Sequence, residues 1–229
     1  MNRVMESWRG RPLERITQLY TDVDESFLLT FEELDHYPQR PKTQYWGSWN
    51  NTAGASPQWP AGSGKRIFAY LKSTPTAPDI LRFLDGLGKP TIAVMPQIDD
   101  SFRQQLKAPT LRVESQPLDL HAVARGCDLA ILNGNYASTV CIMLGGKPTL
   151  QIPVHLEQTI FAKRVSALGA GLDVDASKIH QVAGALQRLL TQDRFAAAAR
   201  QFGQRYRDFD PHAQLERIVE RIERLTTRD

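Results

Sequence analysis

The sequence predicts an α/β protein built on a doubly wound, Rossmann-like parallel sheet. Two observations predict it. From about Lys65 onward, short apolar runs rich in strand formers alternate with stretches of helical period. Strands joined by helices of this length form βαβ units, whose right-handed crossovers cover both faces of one sheet.

The elements follow in order. "RIFAYL" (66–71) is the first strand, and "APDILRFLDGLG" supplies a helix with Pro78 in its first turn. Ile80, Leu81, Leu84 and Leu87 share its apolar face. "PTIAVMP" (90–96) is the second strand, with a polar helical segment near 99–106 after it. "TLRVES" (110–115) is the third, followed by a short helix in "LDLHAVARGC". "DLAILN" (128–133) and "PTLQIPV" (148–154) are the fourth and fifth, separated by a small polar turn and an apolar helix that Gly145 and Gly146 close. "EQTIFAKRVSALGAG" places Phe161, Val165 and Leu168 on one helical face, and "GLDVD" is a candidate sixth strand. The remainder is expected to be helical. Ile179, Val182, Ala183, Leu186 and Leu190 form one stripe, and Phe195, Ala199, Phe202 and Tyr206 a second. A last helix starts at Asp210-Pro211 and carries Leu215, Ile218, Val219, Ile222 and Leu225.

Residues 1–64 do not share this rhythm. "LERITQLYTD" reads as helical, "SFLLTF" and "TQYWGSW" as short strands, and residues 50–65 as a linker dense in turn residues. A piece that small buries too little surface to close a core of its own. The expected organisation is therefore a small N-terminal part and linker (1–64) and a Rossmann-like domain (65–229).

Composition narrows the function classes. With 41% hydrophobic and 23% charged residues, the 229-residue chain is an ordinary globular sequence. Its formal charge of +3 argues against a nucleic-acid binder, and the C-terminal arginines interleave with Glu216, Glu220 and Glu223 as on a solvated helix face. Cys127 and Cys141 have neither disulfide-framework nor zinc spacing, so buried reduced thiols and no metal site are expected. The first sixteen residues lack the apolar core of a signal peptide, and no apolar run is long enough to span a bilayer. The cytoplasm is the expected compartment.

Ligands of doubly wound sheets bind at the carboxyl ends of the strands. Three turns lie there. The turn in "ILNGNYASTVCIMLGGKP" (131–148) leads into a helix whose first N–H groups and positive dipole end attract an anion. Gly134 allows close backbone approach, while Ser138 and Thr139 bond either a phosphate oxygen or their own helix as N-caps. In "PVHLEQ" (153–158), acidic and amide groups are able to grip sugar hydroxyls, or Glu157 simply complements a helix dipole. His155 is a titratable group there, or a structural one. In "VESQPLDL" (113–120), the backbone at Ser115 and Gln116 pairs with a nucleobase edge or merely turns the chain before Pro117.

Taken together, "CDLAILNGNYASTVCIMLGGKPTLQIPVHLEQTIFAKRVSALGAGL" resembles the donor-binding region of GT-B glycosyltransferases of the UDP-glycosyltransferase type. In that family a strand ends in a His-Gly-Gly or His-Cys-Gly turn followed by Ser or Thr. An acidic-Gln pair and a helix ending in "LGAGL" come next. The stretches "ELDHYPQRPKTQYWGSW" and "WPAGSGKRIFAYLK" resemble the interdomain segment of bacterial members, so the likeness spans about residues 20–208.

The resemblance implies roles. Asn133, Gly134, Ser138 and Thr139 would hold the donor diphosphate, Glu157 and Gln158 the donor sugar, and Ser115 and Gln116 the base. No metal and no cofactor besides the nucleotide-sugar substrate is implied. Two departures stand out: Asn133 and Asn135 replace the family His and second Gly, and an uncharged Asn donates to phosphate without a charge. The family's acceptor domain, with its His-Asp general base, is largely missing, so no catalytic residue is assigned. The function expected is donor binding for transfer to an unassigned acceptor hydroxyl. Hexosyl transfer would then need an N-terminal acceptor domain or a separate acceptor-domain subunit, and a homodimer across exposed apolar surface is a further expectation. A catalytically silent binding or interaction protein is the alternative.

Overall fold

The computed structural model describes residues 2–37, 39–40, 43–49 and 53–227, apart from the side chain of Ile179. Residues 50–52 of the expected linker and Ile179 of the expected stripe lie outside that set. Six parallel strands form one sheet in the order β3-β2-β1-β4-β5-β6. They are β1 (Ile67–Tyr70), β2 (Thr91–Val94), β3 (Leu111–Glu114), β4 (Leu129–Leu132), β5 (Thr149–Gln151) and β6 (Gly171–Asp173). All six coincide with expected runs. β2 and β4 are buried at every position, as parallel strands covered on both faces require, whereas edge strand β3 buries only Val113.

The helices are α1 (Asn2–Ser7), α2 (Gln18–Thr21), α3 (Ala77–Gly86), α4 (Asp100–Arg103) and α5 (Leu120–Gly126). They continue with α6 (Tyr136–Leu144), α7 (Leu156–Ala167), α8 (Val182–Thr191), α9 (Asp193–Arg205) and α10 (Pro211–Thr226). Acidic caps start three of them. The carboxylates of Asp99, Asp119 and Asp210 each accept from two N–H groups of the following turn. On one face of the sheet, Ile67, Ala69, Ile131 and Leu150 pack with Ile80, Leu84 and Leu186 of α3 and α8. On the other, Phe68, Val94 and Leu132 pack with Val123 of α5 and Ile142 of α6.

A third cluster reaches outside the Rossmann-like unit. Phe31 and Leu34 are buried among Val140 and Met143 of α6, Phe161 and Val165 of α7, and Phe202 of α9. The ring of Phe31 lies 4.4 Å from that of Tyr206 and 5.1 Å from that of Phe209. The described residues of 27–49 therefore form a strap docked on three helices.

The strap differs from the expectation of two strands. Among its described residues only a single parallel bridge, Leu28 to Tyr45, forms. Two short runs with no third strand gain too little to persist as a sheet, and their aromatic residues dock on helices instead. The helix expected in 13–22 shrinks to the four residues of α2, and that near 99–106 to the four of α4. On α8 the buried positions are Val182, Ala185, Leu186 and Leu189, while Ala183 is exposed, because the helix begins at Val182 and sets its own phase. On α10 only Ile218 of the expected stripe is buried; Val219 and Ile222 face solvent.

Candidate functional site

The connection after β1 runs to α3 on one face of the sheet, and that after β4 runs to α6 on the other. Neighbouring strands that part this way open a crevice at their carboxyl ends, where ligands of such sheets bind. The turn at Asn133–Asn135 sits at its floor.

Gly134 makes the turn with φ +74°, and a Cβ there would stand 2.8 Å from Cβ of Gln158. Only glycine meets both conditions. Asn133 is buried, and its carboxamide is used at both ends. Its Oδ1 accepts from the Lys72 N–H at 2.6 Å, and its Nδ2 donates to the Ile152 carbonyl at 2.8 Å. One side chain thus ties the loop after β1 to the loop after β5, across the end of β4. Gln158 adds a second tie. Its Oε1 accepts from the Val154 N–H, and its Nε2 donates to Oδ1 of Asn135, both at 3.0 Å.

The other expected residues divide. Thr139 is fully buried and meets the Gln151 side chain of β5 beneath the helix. Ser138 is buried in the first turn of α6; the N-cap position is Asn135, whose side chain makes no cap bond. Glu157 turns away from Gln158 into solvent, 3.5 Å from Nε2 of His36 and 3.9 Å from Nδ1 of His155. Ser115 is half-buried and Gln116 exposed at the end of β3. That strand is three strand spacings from β4, about 14 Å. The structure therefore brings Asn133, Gly134 and Gln158 together, sets Ser138 close by, and holds Ser115 and Gln116 apart.

Beside the tied turn opens a cavity of about 830 Å³. Its walls include Thr74 and Thr76 from the loop after β1, His155 and Thr159 at the start of α7, and Lys163 and Ser177 toward β6. Lys163 pairs with Asp173. None of the eight residues given donor-binding roles lines this cavity, but His155, weighed from the sequence as a titratable group, does, and Asn133 fixes two of its loops. The missed signal was "KSTPT" (72–76), a small polar turn at a strand's carboxyl end that meets the same criterion as the turn after β4.

Cys141 and His121 approach at 3.6 Å on the wall of a second cavity of about 250 Å³. Burial pushes the Cys141 thiol up to about 11 and that of Cys127 to about 12, so neither is a thiolate nucleophile near neutrality. Burial also raises Tyr136 to about 12; its hydroxyl donates to Oγ1 of Thr30 at 2.9 Å, fastening the strap to the first residue of α6. Among the described residues, no three of His, Cys, Asp and Glu converge as a metal site, and no helix is long and apolar enough to cross a membrane.

No protein-family model and no curated protein matches the chain. Solved structures do. The glycosyltransferase of kitacinnamycin superposes with a TM-score of 0.77 at 18% identity, over 97% of this chain and 60% of that one. The spinosyn rhamnosyltransferase SpnG gives a TM-score of 0.64 at 22% identity, over 80% and 53%. The glycosyltransferase VinC in complex with dTDP gives 0.59 at 20%, over 72% and 43%. The fold is thus the one found in GT-B glycosyltransferases, and the chain spans about half the length of these proteins.

Proposed function

We propose that this chain binds a nucleoside diphosphate sugar at the carboxyl edge of its sheet and serves as the donor half of a glycosyltransferase. One observation carries the reading: the crevice between β1 and β4 combines a glycine turn, a helix N-terminus and an adjoining cavity of about 830 Å³, with its loops tied by Asn133. In this reading the diphosphate lies against Gly134 and the start of α6, where the helix dipole and the Ser138 hydroxyl stabilise negative charge as the sugar–phosphate bond breaks. Asn133 and Thr139 act from beneath by holding the turn. Glu157 accepts from a sugar hydroxyl, Gln158 braces the sugar loop, and Ser115 and Gln116 frame the base. The nucleotide sugar is a substrate, and no resident cofactor is invoked. Solved neighbours that hold dTDP or thymidine diphosphate support this choice of ligand class. The acceptor and its general base would come from an acceptor-binding domain outside these 229 residues.

Calorimetry with UDP, dTDP and their hexose conjugates tests the proposal. Saturable binding with a Kd below about 1 mM for one of them is expected, and Ser138→Ala should weaken it about tenfold or more, the loss of one hydrogen bond to a charged group. Silence toward every ligand at millimolar concentration refutes it. The internal use of both the Asn133 and Gln158 amides favours a second reading, a transferase-like module that binds without catalysing. Binding with no sugar release, even when acceptor-domain partners are supplied, would select that reading.

A further inference from the structure

We infer that His36 positions Glu157, so that the strap supplies one wall of the donor-sugar subsite. The inference rests on the donor-binding reading above and deepens it. Among the described residues Nε2 of His36 is buried with no hydrogen-bond partner, and the carboxylate oxygen Oε1 of Glu157 lies 3.5 Å from it. Buried ring nitrogens without partners are uncommon and call for an explanation.

The ring cannot easily turn elsewhere. It stacks on Phe161, with centroids 6.0 Å apart and an interplanar angle of 27°. On its N-terminal side Leu34 is fully buried, and the adjoining carboxylate of Asp35 is held by Arg40 Nε at 2.8 Å, the Tyr37 N–H at 2.9 Å and the Tyr45 hydroxyl at 3.2 Å. The strap thus aims one nitrogen at one oxygen.

A carboxylate only accepts, so the imidazole proton belongs on Nε2. With Oε1 facing that N–H, Oε2 is left for a ligand, and among the described residues the one other charged-type partner of Glu157 is His155 at 3.9 Å. Its side chain is 59% exposed and would sample several rotamers if nothing steered it. A steered carboxylate accepts from a hydroxyl or amine. The subsite accordingly selects a hexose bearing such a donor at the carbon facing Glu157 and disfavours the analogue deoxygenated there. His36 is a positioning residue; it need not touch the sugar.

The experiment compares free nucleotide with nucleotide sugar by calorimetry for the full chain and for His36→Phe, His36→Gln and Glu157→Gln. Phe preserves the stacking on Phe161 and removes the N–H, whereas Gln restores an N–H donor. His36→Phe should weaken nucleotide-sugar binding about fivefold and leave free-nucleotide binding unchanged, with His36→Gln recovering most of the loss. In nitrogen-edited spectra the His36 ring signals should move with nucleotide sugar and not with nucleotide alone. If Glu157→Gln lowers sugar binding while His36→Phe does not, the inference fails and the donor reading stands. Equal loss for both ligands in His36→Phe marks a structural role and also overturns the inference. If Glu157→Gln leaves the sugar's contribution intact, the sugar-site assignment itself falls, and this inference with it.

Discussion

Replacing Asn133 by Ala removes both ends of the tie across the crevice. The Lys72 N–H and the Ile152 carbonyl lose their partners at a residue only 2% exposed. Each orphaned buried group costs about 1–3 kcal/mol, so the pair should cost about 3 kcal/mol after partial relaxation. For a protein of this size, about 2–4 °C per kcal/mol converts that to a fall in Tm of about 6–12 °C. Differential scanning calorimetry measures it, with urea melts checking that the m-value is unchanged. Asn133→Asp sharpens the case, because a carboxylate oxygen would then face the Ile152 carbonyl. Burial and that carbonyl both raise the introduced carboxyl's folded-state pKa above its unfolded value. The folded state then binds the proton more tightly, so this variant should regain stability as pH falls and lose it as pH rises through the folded pKa. A Tm for Asn133→Ala within about 2 °C of wild type would mean that water satisfies both groups, and the tie would carry no weight.

Four further outcomes are expected. Gly134→Ala imposes a side chain at φ +74° and a contact 2.8 Å from Gln158 Cβ, so it should lose about 2–4 kcal/mol in urea melts. Phe31→Ala should lose about 3–5 kcal/mol and strip hydrogen-exchange protection from the strap, while the sheet keeps its own. Gln158→Ala should destabilise the fold by about 2 kcal/mol, whereas Glu157→Ala should change stability by under about 0.5 kcal/mol and act only on nucleotide-sugar binding. Above pH 9 the unfolded thiols ionise while the folded ones, raised to about 11 and about 12, resist; stability should fall from pH 9 upward, and alkylation at pH 8 should be slow. Denaturant melts across that range and mass spectrometry of iodoacetamide adducts check both halves.

The sheet was legible because its strands are continuous apolar runs, and a run such as Leu129–Leu132 needs no long-range information to declare itself. The crevice was legible for the same reason, since the ends of strands locate it. The state of its side chains was not. Asn133 stands in the turn that the sequence singled out, yet its carboxamide is already spent on Lys72 and Ile152, partners 61 and 19 residues away. Glu157 and Gln158 adjoin in sequence, but a helix sends neighbouring residues in different directions, one to the turn and one to the strap. His36 carried no signal, because what singles it out is a carboxylate more than a hundred residues downstream. The misphased stripe on α8 has a local cause: the residues just before Val182 form a separate 3₁₀ turn, Ala176–Gln181, so the counting had begun on the wrong element.

The docking of the strap bears on how the protein should be trimmed. A chain cut at residue 65 keeps every strand, but it uncovers Val140, Met143, Phe161 and Phe202, which Phe31 and Leu34 normally shield. Such a fragment should be sticky and self-associating, with a greasy scar across α6, α7 and α9. Any minimal version made for crystallisation or for fusion to another domain should therefore begin no later than Phe27.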